Sequence, residues 1–392
     1  MLSSKLKEIT PSYTIGISTK VKELKNQGLD IINLSIGEPD FFTPSPAKDH
    51  AIQAIQMNHT KYDAAAGLLD LRKAIQNKLD IENNVSYAVD EIVVSSGAKH
   101  AITNTLIALL DHGDEVIIPK PYWVSYPEMI KLVGGKPIFL NTQRKNDFKV
   151  TRKEIEQAIT PKTKIIFITN PSNPTGAIYS KDELKGIVDI CLKNNIYILA
   201  DEIYESICYV DSFTSIASLS TEAKDITITI NGLSKSVAMT GWRIGYSATN
   251  MVLAKAISAI QGHLVSHPST ISQWAGVSAL TSCQTETAEM VHTYKTRKDL
   301  AISVLKKIES IGFINPQGAF YLFIDISSLK DKFKWHHSFS VAFSDILLTH
   351  GKVAVVPGIA FGMDDFIRIS YACDTDELLE GLNRMKTFIE NL

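Results

Sequence analysis

The middle of the sequence repeats one rhythm: a short β-branched apolar run, a polar turn, then a helical pattern. "DEIVVSS" (90–96) leads into "AKHAITNTLIALL", "DEVIIP" (114–119) follows, and "TKIIFITN" (163–170) opens a loop before "SKDELKGIVDICLKN". "NIYILADE" (195–202) and "DITITING" (225–232) complete the series. Runs this short and apolar, each followed by a helix, suit strands buried on both faces, so the pattern predicts an α/β fold with a mostly parallel central sheet. Ser180 and Glu183 stand at capping-box spacing and predict a helix start there. The C-terminal part differs. "GAFYLFIDI", "VAVVPG" and "FIRISYA" are short and strand-like, and they end in a helix with Leu378, Leu382, Met385 and Ile389 at helical spacing. These features predict a large domain over 46–284 and a smaller α+β domain over 1–45 and 285–392. A long helix through 291–312 would bridge them, with Gly312 as its stop signal.

A chain of 392 residues exceeds what one core usually supports, which agrees with two domains. Its 40 basic and 42 acidic residues give a formal charge of −2 without any basic stripe, which argues against a nucleic-acid partner. Cys191, Cys208, Cys283 and Cys373 are scattered and read as reduced residues of a cytoplasmic protein. The start, "MLSSKLKEITPS", lacks the apolar stretch of a signal peptide, and no run reaches the length of a membrane span. The paired histidines of "KWHHSF" (334–339) have no second ligand group at metal spacing, so no metal site is expected.

Polar groups recur beyond the carboxyl ends of the strands, where an α/β sheet binds ligands. Gly97, Ala98 and Lys99 follow one strand and open a helix, a place where backbone N–H groups can approach a phosphate. "NPSNPTG" (170–176) packs two Asn-Pro steps into one loop; it fits a fixed amide, a cis proline or only a tight connection. Asp201 ends a buried strand with Tyr204 close behind, and a carboxylate there needs a cationic or hydrogen-bonding partner. Lys235 ends the strand "ITITI", with Arg243 eight positions on and Val237, Met239 and Trp242 as an apolar setting. A neighbouring cation and a dry setting would depress the amine and make it a nucleophile toward carbonyls. Alone, the same lysine reads equally as a solvated helix-start charge. Together, a nucleophilic lysine, a carboxylate suited to a pyridinium nitrogen, a phenol, an amide and a phosphate-type helix start match the needs of pyridoxal 5'-phosphate.

Nearly the whole chain resembles the fold-type I pyridoxal-phosphate aminotransferases of class I. The motifs that carry the likeness run in order: "IINLSIGEPDFFTP", "KYDAAAGLLDLRKAI", "PYWVSYPEM", "NPSNPTGAIYS", "ADEIYE", "SKSVAMTGWRIGY", "PQGAFYLF", "VPGIAFG" and "FIRISYA". The branch it is most similar to holds bacterial aspartate and prephenate aminotransferases. The resemblance implies that Lys235 bonds the cofactor and moves the proton at the substrate Cα. It implies that Asp201 pairs with the ring nitrogen, that Tyr204 and Asn173 bond the ring's phenolic oxygen, and that Trp123 stacks on its face. Gly97, Ala98, Lys99, Ser234 and Arg243 would hold the phosphate, with Tyr62 reaching the phosphate of a neighbouring subunit in a homodimer.

Arg368 matches the arginine that grips the substrate α-carboxylate, and Gly37 the glycine whose backbone passes close to the substrate. Read by themselves, Arg368 is a salt-bridged strand arginine and Trp123 a core aromatic. Pro39 and Pro44 would shape the entry, and Phe320 and Tyr321 a wall. The region 261–275, where aspartate-specific relatives use a partner arginine for the distal carboxylate, contains no arginine. In the branch most resembled, the lysine matching Lys99 takes that part, which implies aspartate or glutamate as donor and 2-oxoglutarate or oxaloacetate as acceptor. His263 and His267 read as loop or packing histidines. "SYTIGI" (12–17) would close over the site, with Tyr13 and Thr14 tuning acceptance of prephenate or aromatic substrates. A lyase on the same fold shares nearly every cofactor contact, while a regulatory sensor of this type would carry a DNA-binding segment, and a Rossmann dehydrogenase needs a G-x-G-x-x-G absent here.

Overall fold

The computed structural model describes residues 9–10, 13–332 and 334–392, so most of the N-terminal "MLSSKLKEITPS", including Ser12, lies outside the described residues. The strands are β1 (Ile32–Asn33), β2 (Ile92–Ser95), β3 (Glu115–Pro119), β4 (Lys136–Leu140), β5 (Thr163–Thr169), β6 (Tyr197–Asp201), β7 (Thr227–Gly232), β8 (Gly245–Ala248), β9 (Gly312–Phe313), β10 (Tyr321–Asp325), β11 (Val353–Ala354), β12 (Val356–Pro357) and β13 (Phe366–Ser370). Seven of them form one sheet in the order β2-β8-β7-β6-β5-β3-β4. All its neighbours pair in parallel except β8, which is antiparallel to both β2 and β7. The central strands are buried along nearly their whole length because helices cover both faces, which is why their sequences read as unbroken apolar runs. The α/β fold expected from the strand–helix rhythm is thus observed.

The topology brings the functional segments to one edge. Ser95 lies opposite Gly245, and Gly245 opposite Gly232. The carboxyl end of β2, the amino end of β8 and the carboxyl ends of β7, β6 and β5 therefore open on the same side of the sheet. Ser180 caps the helix Lys181–Asn194 as its spacing predicts, its Oγ accepting from Glu183 N at 3.3 Å while Glu183 Oε2 accepts from Ser180 N at 2.7 Å.

A second, antiparallel sheet orders β12-β13-β10-β9, and β1 pairs in parallel with β11. Its core includes Phe320, Leu322, Ile324, Ile367 and Ile369 and the C-terminal helix Thr375–Glu390. The bridging helix departs from expectation. It runs from Gln284 to Leu305, and Gly312 does not stop it. The chain leaves the helix through tight turns, Lys307 N donating to Val304 O and Ile308 N to Leu305 O, so that Ile308 enters the core. Gly312 instead starts β9 beneath Arg144, where a Cβ would lie 1.3 Å from Nη1.

Candidate active site

A cavity of about 590 Å³ opens at that sheet edge and lies between it and the second sheet. Gly37, Ala98, Lys99, Trp123, Asn173, Asp201, Tyr204, Ser234, Lys235, Arg243 and Arg368 all line it. These come from seven separate segments, brought together by the strand order described above.

Lys235 sits in the short turn Leu233–Ser236 directly after β7. Its Nζ donates to the Gly37 carbonyl at 2.6 Å and lies 5.8 Å from the Phe320 ring. Burial lowers its pKa to about 8, with Arg368 and Arg243 pushing the same way and Glu38 and Asp201 opposing. The apolar setting is not the one expected from the neighbouring sequence. Val237 and Met239 pack into the core with Leu71 and Ile75, and Trp242 packs against that core, its Nε1 donating to Thr43. The dry face of Lys235 comes from the second sheet.

Asp201 ends β6 and is almost fully buried. The desolvation cost raises its pKa to about 6, while hydrogen bonds and Lys235 pull it down. Tyr126 Oη donates to Asp201 Oδ2 at 2.5 Å and lies 2.8 Å from Thr169 Oγ1; the Ile203 N–H donates to Oδ1 at 3.3 Å. Tyr126 is a site residue that sequence reasoning did not identify. It stands three positions after Trp123, and the two rings meet edge-on at 5.3 Å. Only the three-dimensional pairing of 126 with 201 distinguishes it from an ordinary core tyrosine.

At the other end of the cavity, Gly97 precedes the helix Ala98–Leu109, whose first turn has no side-chain cap. Arg243 lies over this helix start. A Cβ on Gly97 would approach its Nη2 to 2.3 Å, so the bare backbone is what lets the guanidinium in. Gly245 has the same function on the neighbouring strand, because a Cβ there would lie 2.2 Å from Ala98 N. Arg243 is held by donation to Thr240 O at 2.9 Å and Ser96 O at 3.3 Å. Lys99 Nζ lies 4.9 Å from the Trp123 ring centroid, and its pKa is lowered by burial and by Arg243.

Arg368, in the middle of β13, crosses from the second sheet. Its Nη1 donates to Asn173 Oδ1 at 3.1 Å and its Nη2 to Ser35 O at 2.9 Å, while its plane lies 4.3 Å from the Tyr321 ring centroid. Its Nε is buried without a hydrogen-bond partner. No carboxylate pairs with it among the described residues, so the salt-bridged strand arginine is not what is seen. The Tyr204 and Tyr321 hydroxyls are 2.8 Å apart. Gly37 lies against this pair, and a Cβ there would be 2.9 Å from Tyr321 Oη. The loop 170–176 holds two of the chain's cis peptide bonds, at Asn170–Pro171 and Asn173–Pro174.

Some expected residues lie elsewhere. Tyr62 is 91% exposed, outside the cavity, with its ring edge-on to His267 at 5.9 Å. Its neighbour Asp63 donates its N–H to His267 Nε2 at 3.0 Å, so His267 packs a loop as expected. Thr14 lines the cavity, but Tyr13 faces away, into a separate groove with Lys20, Val341 and Leu348. Tyr13 lies on the helix face of Gly16, Ile17 and Lys20, which line that groove, and Thr14 on the face turned to the cavity. Ser18, Thr19 and Lys22 of the same helix, Tyr13–Asn26, do line it, and sequence reasoning had not singled them out. Among the described residues no cluster of His, Cys, Asp or Glu could hold a metal ion, and no helix is long and apolar enough to cross a membrane.

Comparison with known proteins agrees with this geometry. Residues 29–385 match the family described as aminotransferase class I and II. The chain is 43% identical to an aspartate aminotransferase of Bacillus sp. (strain YM-2), covering 100% of this chain and 99% of that one. It is 42% identical to a probable aspartate/prephenate aminotransferase of Aquifex aeolicus over 100% and 99% of the two chains. The aspartate aminotransferase from Rhizobium meliloti superposes with a TM-score of 0.95 at 38% identity, covering 100% of this chain and 99% of that one. The maleate-bound aspartate aminotransferase from Thermus thermophilus gives 0.93 at 36%, covering 99% of each. A lysine whose hold on its proton is weakened, at the end of a parallel strand and facing a buried carboxylate on the next one, is thus set in a chain that belongs to the class I and II aminotransferases, enzymes that work with pyridoxal phosphate.

Proposed function

We propose that this chain exchanges the amino group of L-aspartate or L-glutamate with a 2-oxo acid, 2-oxoglutarate or oxaloacetate, as a cytoplasmic homodimer. The observation that carries the reading is Arg368: a buried guanidinium with an unfilled Nε, aimed into the same cavity as an unpaired, depressed lysine. A buried cation of this kind calls for a carboxylate, and its planar fork takes one in two hydrogen bonds.

The residues fit pyridoxal phosphate from end to end. The uncapped helix start at Gly97, Ala98 and Lys99, with Arg243 and Ser234 beside it, suits the phosphate. Asp201 suits the ring nitrogen, Asn173 and Tyr204 the phenolic oxygen, Trp123 the ring face and Lys235 the aldehyde. When bound, the cofactor supplies an aldehyde that takes up the amino group and a ring that accepts the electron pair released at Cα. The chain's own residues do the rest. Lys235, released from the Gly37 carbonyl, removes and returns the Cα proton, and an amine titrating near 8 is matched to that task at neutral pH. Asp201, titrating near 6, is a carboxylate at neutral pH and holds a proton on the ring nitrogen, with Tyr126 fixing its orientation. Arg368 fixes the α-carboxylate, and Trp123 and Tyr321 exclude water from the faces of the reacting centre.

The donor side chain points toward the helix Tyr13–Asn26. Lys22 of that helix and Lys99 both line the cavity, which supports a second carboxylate on the substrate. Residues 46–284 act as the cofactor-holding lobe, and 1–45 with 285–392 as the smaller lobe that brings Arg368 and Lys22 over it. Dimer formation is supported by the exposed Phe42 and Tyr62 rings, 92% and 91% accessible, together with Met57, Leu264 and Val265. Tyr62 would complete the neighbouring subunit's phosphate site. Prephenate, which also carries a second carboxylate, is a second acceptor that the apolar wall of Ile36, Ile203 and Trp123 supports.

A panel of amino donors against 2-oxoglutarate, oxaloacetate and prephenate, read with the absorbance of the bound cofactor, tests the reading. Aspartate and glutamate are expected to be the best donors, and keto acid should appear only with an oxo-acid acceptor. Good turnover with neutral donors alone would overturn the role of Lys99, and keto acid without an acceptor would indicate a lyase.

A further inference from the structure

Behind the Lys235 turn, on the side away from the cofactor cavity, the helix Leu69–Asn83 and β7 converge on one buried carboxylate. Glu205 follows the Asp201–Tyr204 segment, and its Oε1 accepts from Asn231 Nδ2 at 2.6 Å and from Lys78 Nζ. Its Oε2 accepts from Asn83 Nδ2, and Lys78 also donates to Asn83 Oδ1 at 2.6 Å. Asn231, near the end of β7, turns its own Oδ1 onto the Gly232 N–H at 2.7 Å. Gly232 is the last residue before the turn that holds Ser234 and Lys235. All four side chains are buried.

We infer that Asn231 and Glu205 are positioning residues, which lock the turn bearing Lys235 to the segment bearing Asp201 and Tyr204 from behind. Glu205 is the only side chain among the described residues that hydrogen-bonds Asn231, and it stands next to Tyr204 in sequence. The backbone pairing of β6 with β7 sets the two strand ends side by side, and this amide–carboxylate contact adds the side-chain tie between the segments that continue beyond them.

Two observations favour positioning over stability alone. First, a cavity of about 530 Å³ adjoins this side of the turn, lined by Lys78, Glu205, Asn231, Gly232 and Ser236. Leu233 anchors the start of the turn in the core, but beside this cavity the turn relies on directional hydrogen bonds, among them Thr287 Oγ1 donating to Ser236 O at 3.1 Å. Second, a buried ion pair is usually no better for stability than apolar side chains of the same volume, because both charges lose their hydration. What such a network adds is fixed direction.

The inference rests on Lys235 being the cofactor-bonding lysine, and two measurements on Asn231→Ala separate the two ideas. One is the titration of Lys235 in the cofactor-free protein, followed by pH-dependent acylation and mass spectrometry. The other is kcat and KM of the loaded enzyme. Loosening the turn should let the amine reach water, so its midpoint should rise from about 8 toward the ordinary value of 10.5. A displaced lysine should cost kcat about 10- to 100-fold with KM changed by no more than about threefold. Glu205→Gln, which keeps the shape and one acceptor, should show both effects at reduced size, and it serves in the same measurements if Asn231→Ala does not fold. A lower melting temperature with an unmoved Lys235 midpoint and unchanged kcat would overturn the inference. The acylation midpoint reads the position of the amine whatever the reaction is, so it can fail or hold independently of the proposed function.

Discussion

Two lysines stand at the end of the large sheet, Lys78 buried and Lys235 half-buried, and they are treated in opposite ways. Lys78 is only 8% exposed and is neutralised on the spot by Glu205, with Asn83 as a second acceptor. Lys235 has no ion pair among the described residues, only the Gly37 carbonyl, and two of the charges facing it are arginines. Burial alone does not make a lysine reactive. Burial without a bonded carboxylate does, because the more distant Glu38 and Asp201 repay the amine only in part for holding its proton. The front of the sheet edge keeps its charges unpaired for a ligand, and the back pairs them to hold the front in place.

Breaking the front lysine should have the largest effect. Lys235→Ala is expected to lower kcat by about 10⁴-fold or more, since nucleophile and proton carrier are lost together, as measured by turnover with aspartate and 2-oxoglutarate. Breaking the back lysine should act on stability instead. Lys78→Met leaves Glu205 buried without its cation and should cost about 3–5 kcal/mol in urea unfolding, and Lys78→Met with Glu205→Gln should recover much of that loss. Arg368→Lys tests whether an unpaired cation of the front can be exchanged for another. Losing the planar fork should cost about 2–3 kcal/mol in kcat/KM, seen chiefly in KM for the amino acid.

The smallest effect sharpens the comparison through pH. Tyr126→Phe removes a donor that favours the charged form of Asp201, so the carboxylate should titrate above its present value of about 6. The acid limb of the kcat profile should then move to higher pH, with a loss of about tenfold or less at neutral pH. A profile unchanged on the acid side would mean that Asp201 does not set it.

Most of the front was legible in the sequence, because its residues stand at strand ends, where local pattern fixes position. Asp201, Lys235 and the Gly97 turn each follow an apolar run that can only be a strand, and strand ends in such a sheet share one edge. The residues that escaped notice act across the chain. Tyr126 meets Asp201 from 75 positions away, and Lys78 meets Glu205 from 127, so neither pairing leaves a local trace. Within the helix Tyr13–Asn26, the sequence placed Tyr13 and Thr14 together at the site, whereas helical rotation sends only Thr14 there. The end of the long helix was misplaced because Gly312 reads as a stop signal, while Arg144, which explains the glycine, comes from a distant loop.

The reversal of the chain between β7 and β8 has a practical consequence. Lys235 and Arg243 belong to a single covalent hairpin, so the span between the group that meets an aldehyde and the group that meets an anion is set by loop length, like the gap of a fixed caliper. Gly97 and Gly245 close the anion end backbone to backbone and leave no side chain there to enlarge or trim. Attempts to adapt the enzyme to longer or shorter cofactor analogues by point substitution should therefore fail at this end. Engineering of substrate choice has more room along Thr14, Ser18 and Lys22 of the N-terminal helix.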